Sequence, residues 1–280
     1  MLTESQDAAS IGWRDRIFQC ADQVRDKRPD WHAAARVDPA FVAAGGHIFP
    51  FDTLGANMGP MADLLETTGL ADALERGEIN TVCDIGCANG ELSFAFALAG
   101  QQVTAIDWAD QTNQAPTLVS SIAKAESLPV SVINTTVDRH FSFSELREAV
   151  VYDAGTMPDE RFDLAVCFGL IYHLKNPFAF LESLAGIARY VIVGTHVITH
   201  APNIGSRLDD HPLAYLVEPG ELNSDPTNFW MFTEKGFHRL ARRSGFKIVG
   251  SRRIAESTLG IAMPDRVDFG LRGFMVLESL

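Results

Sequence analysis

The hydrophobic pattern of the chain changes period near residue 80. Before that point apolar residues recur at helical spacing: Trp13, Ile17 and Cys20 share one face, and Met61, Leu64 and Leu65 open a second periodic segment that runs to Leu74. Pro29, Pro39, Pro50 and Pro60 interrupt this region, and residues 45–52 read as a loop whose Phe49 and Phe51 are unusual for solvent. From Asn80 onward, short apolar runs alternate with amphipathic stretches. Strands are expected at 80–85, 102–107, 130–136, 162–168, 189–195, 246–252 and 272–278. Helices are expected at 90–99, 115–127, 142–149, 177–188 and 233–244. Such alternation predicts an α/β fold, a mostly parallel sheet covered on both faces.

Residues 1–78 are read as a helical N-terminal cap over the ligand crevice, with a plain packing extension as the other reading, and residues 79–280 as the main domain. The connection at about 196–228 is too long for an ordinary turn. It leaves the carboxyl end of an expected strand and carries His200, Asp209, Asp210, His211, Tyr215 and Glu218. Long connections in compact domains are commonly functional, so this one is read as a substrate lid.

The chemistry concentrates in Thr81-Val82-Cys83-Asp84-Ile85-Gly86-Cys87-Ala88-Asn89-Gly90-Glu91-Leu92, a buried strand that ends in an acid, turns on glycines and enters a helix. The glycines allow a tight turn and the approach of a ligand to the main chain. A second strand ends at Asp107, followed by Trp108, about 20 residues beyond the glycines, where the ribose-binding acid of nucleotide folds stands. The pair predicts an adenosine-containing cofactor. A pyrophosphate fits poorly, because Ala88 replaces the middle glycine and Glu91 would set an acid where a helix N-terminus should offer donors.

Asp84, Gly86 and Gly90 resemble the first motif of the class I S-adenosylmethionine-dependent methyltransferases, with Ala88 as a mild departure. The stretch Arg161 to Pro177, with Phe168, Gly169, Tyr172 and His173, is similar to the fourth strand and following loop of a subgroup of that family. This subgroup includes tRNA wobble-uridine carboxymethyltransferases and many small-molecule methyltransferases. Asn228 to Phe246 is similar to the late helix of the same subgroup. The resemblance covers about 79–280. It implies a Rossmann-like, doubly wound sheet of seven strands with the last antiparallel, and S-adenosylmethionine as cofactor. It also implies a cofactor site at Asp84, Gly86, Cys87, Ala88, Gly90, Asp107, Trp108, Phe168 and Gly169. The adenine-contacting acid it implies has two candidates, Asp138 near the end of the third strand and Asp153, with the wording around Asp153 slightly favoured.

In methyl transfer the acceptor must be held in line with the methyl group, and a hydroxyl acceptor needs a base. His173 is the first candidate for that base, with a buried structural histidine as the competing reading, and His196 is the second. Cys83, Cys87 and Cys167 read as small buried hydrophobes, and the acidic and histidine residues of the long connection lack a metal-site spacing, so no metal is expected.

Composition narrows the partners. With 36 acidic against 23 basic residues the net charge is −13, which argues against nucleic acid and for a small-molecule acceptor. Arg239, Arg242, Arg243, Lys247, Arg252 and Arg253 form a late basic group, read as a solvated face or as an anion site. No run approaches the ~18 apolar residues of a membrane span, and the N-terminus lacks a signal-peptide pattern, so a cytoplasmic enzyme is expected. A tRNA-modifying enzyme and a cofactor-binding protein without turnover are the alternatives.

Overall fold

The computed structural model describes residues 11–43, 48, 52–109, 114–155, 157–200, 207–221, 225–255 and 271–280. Among the described residues ten strands form one sheet: β1 (Thr81–Ile85), β2 (Gln102–Asp107), β3 (Val130–Asn134), β4 (Val150–Tyr152), β5 (Phe162–Phe168), β6 (Ala188–Val197), β7 (Ala214–Leu216), β8 (Trp230–Phe232), β9 (Phe246–Ala255) and β10 (Leu271–Ser279). Their order is β4-β3-β2-β1-β5-β6-β10-β9, with β8 paired to β6 and β7 paired to β8. The β3-β2-β1-β5-β6 segment is parallel, and β10 lies antiparallel to both β6 and β9. The seven long strands are those the sequence predicts, with the antiparallel last strand in place. The three short strands β4, β7 and β8 are additions.

Nine α-helices are described: α1 (Trp13–Val37), α2 (Pro39–Ala43), α3 (Thr53–Thr67), α4 (Leu70–Glu75), α5 (Glu91–Leu98), α6 (Ala115–Glu126), α7 (Phe143–Glu148), α8 (Pro177–Ile187) and α9 (Glu234–Arg243). Alternate residues of each central strand enter opposite cores. Val82, Leu164 and Val166 face a core shared with α1, α3, α4, α5 and α6; Cys83, Ala165 and Cys167 face one built with α7, α8 and α9. The three strand and turn cysteines are thereby buried hydrophobes, and all four cysteines are free thiols.

Two of the four N-terminal prolines do not interrupt helices as the sequence suggests. Pro29 lies inside α1 and Pro60 inside α3. An internal proline costs about 3 kcal/mol. Burial offsets it: α1 sets Trp13, Ile17, Val24 and Trp31 into the core, each worth roughly 1.5–3 kcal/mol or more. Trp13 meets Phe96 at 6.4 Å and Trp31 meets Phe94 edge-on at 5.1 Å, so α1 lies along α5. The described N-terminal helices thus share one core with the sheet. Most of the aromatic loop at 45–52 lies outside the described residues.

Candidate active site

The strand order reverses between β1 and its neighbours β2 and β5, and in open α/β sheets ligands bind at the carboxyl ends of strands at such a point. A cavity of about 730 Å³ lies there. The turn after β1 builds its floor. Gly86 takes φ +75°, and the N–H groups of Gly86 and Cys87 both donate to the carbonyl of Ile106, at 2.9 and 3.2 Å. Ala88 adopts φ +49°, a left-handed conformation that costs an L-residue about 1–2 kcal/mol. Its N–H donates to Asp107 Oδ2 at 2.9 Å, while the N–H of Trp108 donates to Oδ1 at 2.7 Å. The Asp107 carboxylate is therefore held by two main-chain N–H groups at the edge of the cavity.

Asp84, Gly86, Cys87, Ala88, Asp107, Trp108, Phe168 and Gly169 all line this cavity, with Trp108 at its rim and 53% exposed. Gly90 does not. It caps α5 at φ +79°, where a Cβ would stand 2.8 Å from Val119 and 3.0 Å from Phe94, so it serves the packing of the turn. Asp84 is 4% exposed and accepts a 2.6 Å hydrogen bond from Ser93 Oγ. Burial, reinforced by the neighbouring Asp107, raises its pKa to about 7.

The two candidate acids near β3 stand in different places. Asp153 accepts from Ser131 Oγ at 2.7 Å and stands outside the cavity, whereas Thr135, Thr136, Val137 and Asp138 form the cavity wall after β3. Asp138 also accepts from the Asn176 N–H at 2.9 Å, which ties that wall to the loop after β5.

His173 lies on a 3-10 turn, Ile171–His173, and lines the cavity. Its Nδ1 is 3.3 Å from the carbonyl of Thr227 and 3.0 Å from Thr227 Oγ1, and that hydroxyl donates to Asp225 Oδ1 at 2.6 Å. A carbonyl only accepts, so this contact assigns the proton to Nδ1 and leaves Nε2 with its lone pair. Burial lowers the His173 pKa below its ordinary value, partly countered by the Asp225 carboxylate. His196 is 6% exposed and does not line the cavity; the Tyr172 ring contacts both histidines, at 4.4 Å from His173 and 4.6 Å from His196.

Several contributors escaped the sequence reading. Asp225, Pro226, Thr227 and Phe229 bring the long connection to the cavity, and Thr53 and Asn57 bring α3. Glu91, at the start of α5, is 2% exposed; it pairs with Arg28 of α1 at 2.7 Å and accepts from Thr53 of α3. The late basic group is partly neutralised: Arg252 pairs with Asp63, Arg253 with Glu234 at 3.6 Å and Lys247 with Glu278 at 3.1 Å.

A fixed acid at the end of β2, a glycine turn beneath it and a cavity at the reversal of strand order define an α/β domain built for a nucleoside ligand. The chain belongs to the methyltransferase-domain family, whose model matches residues 55–251, beginning within α3. It is similar to the ubiquinone biosynthesis O-methyltransferase of Hydrogenovibrio crunogenus, 30% identical over 108 residues, 39% of this chain and 38% of that protein. The protein of that name from Pseudomonas syringae pv. tomato is 31% identical over 135 residues, 48% of this chain and 47% of the relative. The matched stretch thus spans less than half the length of these relatives. Among solved structures, the N-terminal domain of EvdMO1 in the presence of SAH and D-fucose has the same fold. Its TM-score is 0.52 at 13% identity, over 91% of this chain and 97% of that one.

Proposed function

We propose that this chain transfers a methyl group from S-adenosylmethionine to an oxygen or nitrogen of a small-molecule acceptor. The observation that carries the reading is the Asp107 carboxylate, held at the cavity by the Ala88 and Trp108 N–H groups, at the strand end where a ribose diol would meet it. The surroundings fit the rest of such a cofactor: the buried acid Asp84 and the turn at Gly86 suit a cationic amino-acid tail. The wall at residues 136–138 suits adenine, with Trp108 and Phe168 as apolar surfaces. Bound there, S-adenosylmethionine supplies an electrophilic methyl group on a sulfonium.

The chain's own residues do the positioning. His173 accepts the acceptor's proton at Nε2, while Thr227 and Asp225 hold its other nitrogen. His196 is placed in this reading behind Tyr172, as support for that ring rather than as a base. Gly90 supports the turn. The start of α3 and residues 225–229 act as cap and lid from two sides. The relatives' name favours oxygen as the acceptor atom. Among the described residues no helix is long and apolar enough to cross a membrane. Placement in the cytoplasm belongs to the same proposal and is supported by four unbridged cysteines.

The test is label transfer from methyl-labelled S-adenosylmethionine to a panel of phenols and amines. Wild type is expected to label a small acceptor, with a rate that rises with pH, shows an apparent pKa below 6.5 and then levels, because His173 works only when neutral. His173→Ala is expected to lose about 10²–10⁴-fold in rate with cofactor affinity unchanged. Unaltered turnover in that variant removes His173 from the mechanism, and label appearing only in tRNA removes the small-molecule reading.

A further inference from the structure

Asn57 lies in α3 one turn beyond Thr53, and both residues line the cavity. Asn57 is 7% exposed, and its Nδ2 donates to the Thr53 carbonyl at 2.8 Å. A carbonyl only accepts, so this bond fixes which arm of the carboxamide is nitrogen and which is oxygen. The oxygen, Oδ1, is buried and has no hydrogen-bond partner among the described residues. A buried carbonyl oxygen without a donor is costly and uncommon in a folded protein. On a residue of the cavity wall, it asks for a donor on the ligand.

The first turn of α5 locates Asn57 within the cavity. Glu91 of that turn accepts from Thr53 Oγ1, and Ser93 of the same turn donates to Asp84 at 2.6 Å. Leu92, between them, is itself a lining residue. Asn57, Thr53 and Asp84 therefore gather at the end of the cavity next to β1, whereas the wall at residues 136–138 follows β3, two strands away. In the methyltransferase reading the donors of the cofactor divide accordingly. The ribose hydroxyls meet Asp107 at the end of β2, the adenine amine meets the 136–138 wall, and the ammonium of the amino-acid tail is left for the end that holds Asp84. An ammonium has three N–H groups to place, and one oxygen of Asp84 already serves Ser93.

We propose that Asn57 Oδ1 accepts a hydrogen bond from the cofactor's ammonium, so that the N-terminal helices supply a binding residue for the amino-acid tail. The proposal rests on the methyltransferase reading and deepens it. It makes α3 a part of the cofactor site and not only a cover over the acceptor.

The experiment first titrates S-adenosylhomocysteine into wild type; failure at this step overturns the methyltransferase reading itself. The second ligand is its des-amino analogue, in which hydrogen replaces the ammonium and the rest of the molecule is kept. Asn57→Leu retains the branching and approximate size of the side chain and removes its polar atoms. It is expected to weaken S-adenosylhomocysteine by about tenfold or more, as loss of a hydrogen bond to a charged group implies, and to leave the analogue within about twofold of wild type. Asn57→Ala is expected to give the same pattern, which covers the case of a Leu variant that does not fold. The preference for the ammonium-bearing ligand thus narrows in both variants, with Asp84 keeping the remainder. Unchanged affinity for S-adenosylhomocysteine, or an equal loss for both ligands as a merely structural role would give, overturns the proposal.

Discussion

Asp84 and Asp107 share one turn, yet their surroundings differ. Asp107 meets two main-chain N–H groups and the open cavity, whereas Asp84 is enclosed and its pKa is raised to about 7. Between the ordinary carboxylate value of 3.8 and about 7, folded Asp84 holds a proton that the unfolded chain has released, so its contribution to stability falls as pH rises through that window. A cationic ligand beside it reverses the preference and favours the carboxylate. Cofactor binding is therefore expected to release up to one proton at about pH 6.5, and affinity to rise with pH up to about 7 to 8. Calorimetry in buffers of different ionisation enthalpy reads this directly. Asp84→Asn is expected to bind without proton release, and a wild-type enthalpy independent of buffer contradicts the account. At this scale the acids at strand ends were legible, because a strand-end acid followed by glycines leaves a local signature. Asp225 and Thr227 were not, since both enter the site from a distant element with no local pattern. Asp138 lines the cavity whereas Asp153 does not and accepts from Ser131, a placement set by tertiary packing with no local pattern to announce it.

Among elements, the main long-range device is the junction of α1, α3 and α5 at Glu91. The carboxylate pairs with Arg28 at 2.7 Å and accepts from Thr53, which itself lines the cavity. The N-terminal helices are thereby fastened to the helix that follows the glycine turn. Burial raises the pKa of Glu91, with Thr53 and Arg28 opposing the rise. Arg28→Ala leaves a buried acid without its cation and is expected to cost about 3 kcal/mol at neutral pH. The loss shrinks toward pH 5, as Glu91 takes up a proton instead of staying charged. Denaturant unfolding at the two pH values checks it; a pH-independent loss contradicts the role given to the pair. The long strands were readable as apolar runs, and α5, α6, α8 and α9 fell within about two residues of expectation. Strands β4, β7 and β8 have three residues each, too few to carry a period. Pro29 and Pro60 misled because a local rule was overridden by the burial of the opposite helix face.

Seen whole, the molecule ties part of its late basic group to acids from other elements. The late arginines and Lys247, the best case for polyanion binding in the sequence, are partly taken up by Asp63, Glu234 and Glu278. Phosphate neutralisation supplies most non-specific affinity for nucleic acid, and a net charge of −13 works against it. What the chain does offer is a cavity of about 730 Å³ at the switch point of the sheet, within the usual range for a small ligand. The position of that cavity followed from the alternation of elements. A cap from residues 1–78 and a lid from about 196–228 were read as segments, but the side chains they bring, Thr53, Asn57, Asp225 and Thr227, were not, because they reach the cavity by tertiary packing.

The central claim is that Asp107 holds the ribose of S-adenosylmethionine. Titration calorimetry with S-adenosylmethionine and with S-adenosylhomocysteine, on wild type and Asp107→Ala, tests it most directly. Two hydroxyls hydrogen-bonded to a carboxylate at about 1.5–3 kcal/mol each predict a loss of at least about a hundredfold in affinity for both ligands. Equal affinity in the variant, or no binding of either ligand by folded wild type, contradicts the account.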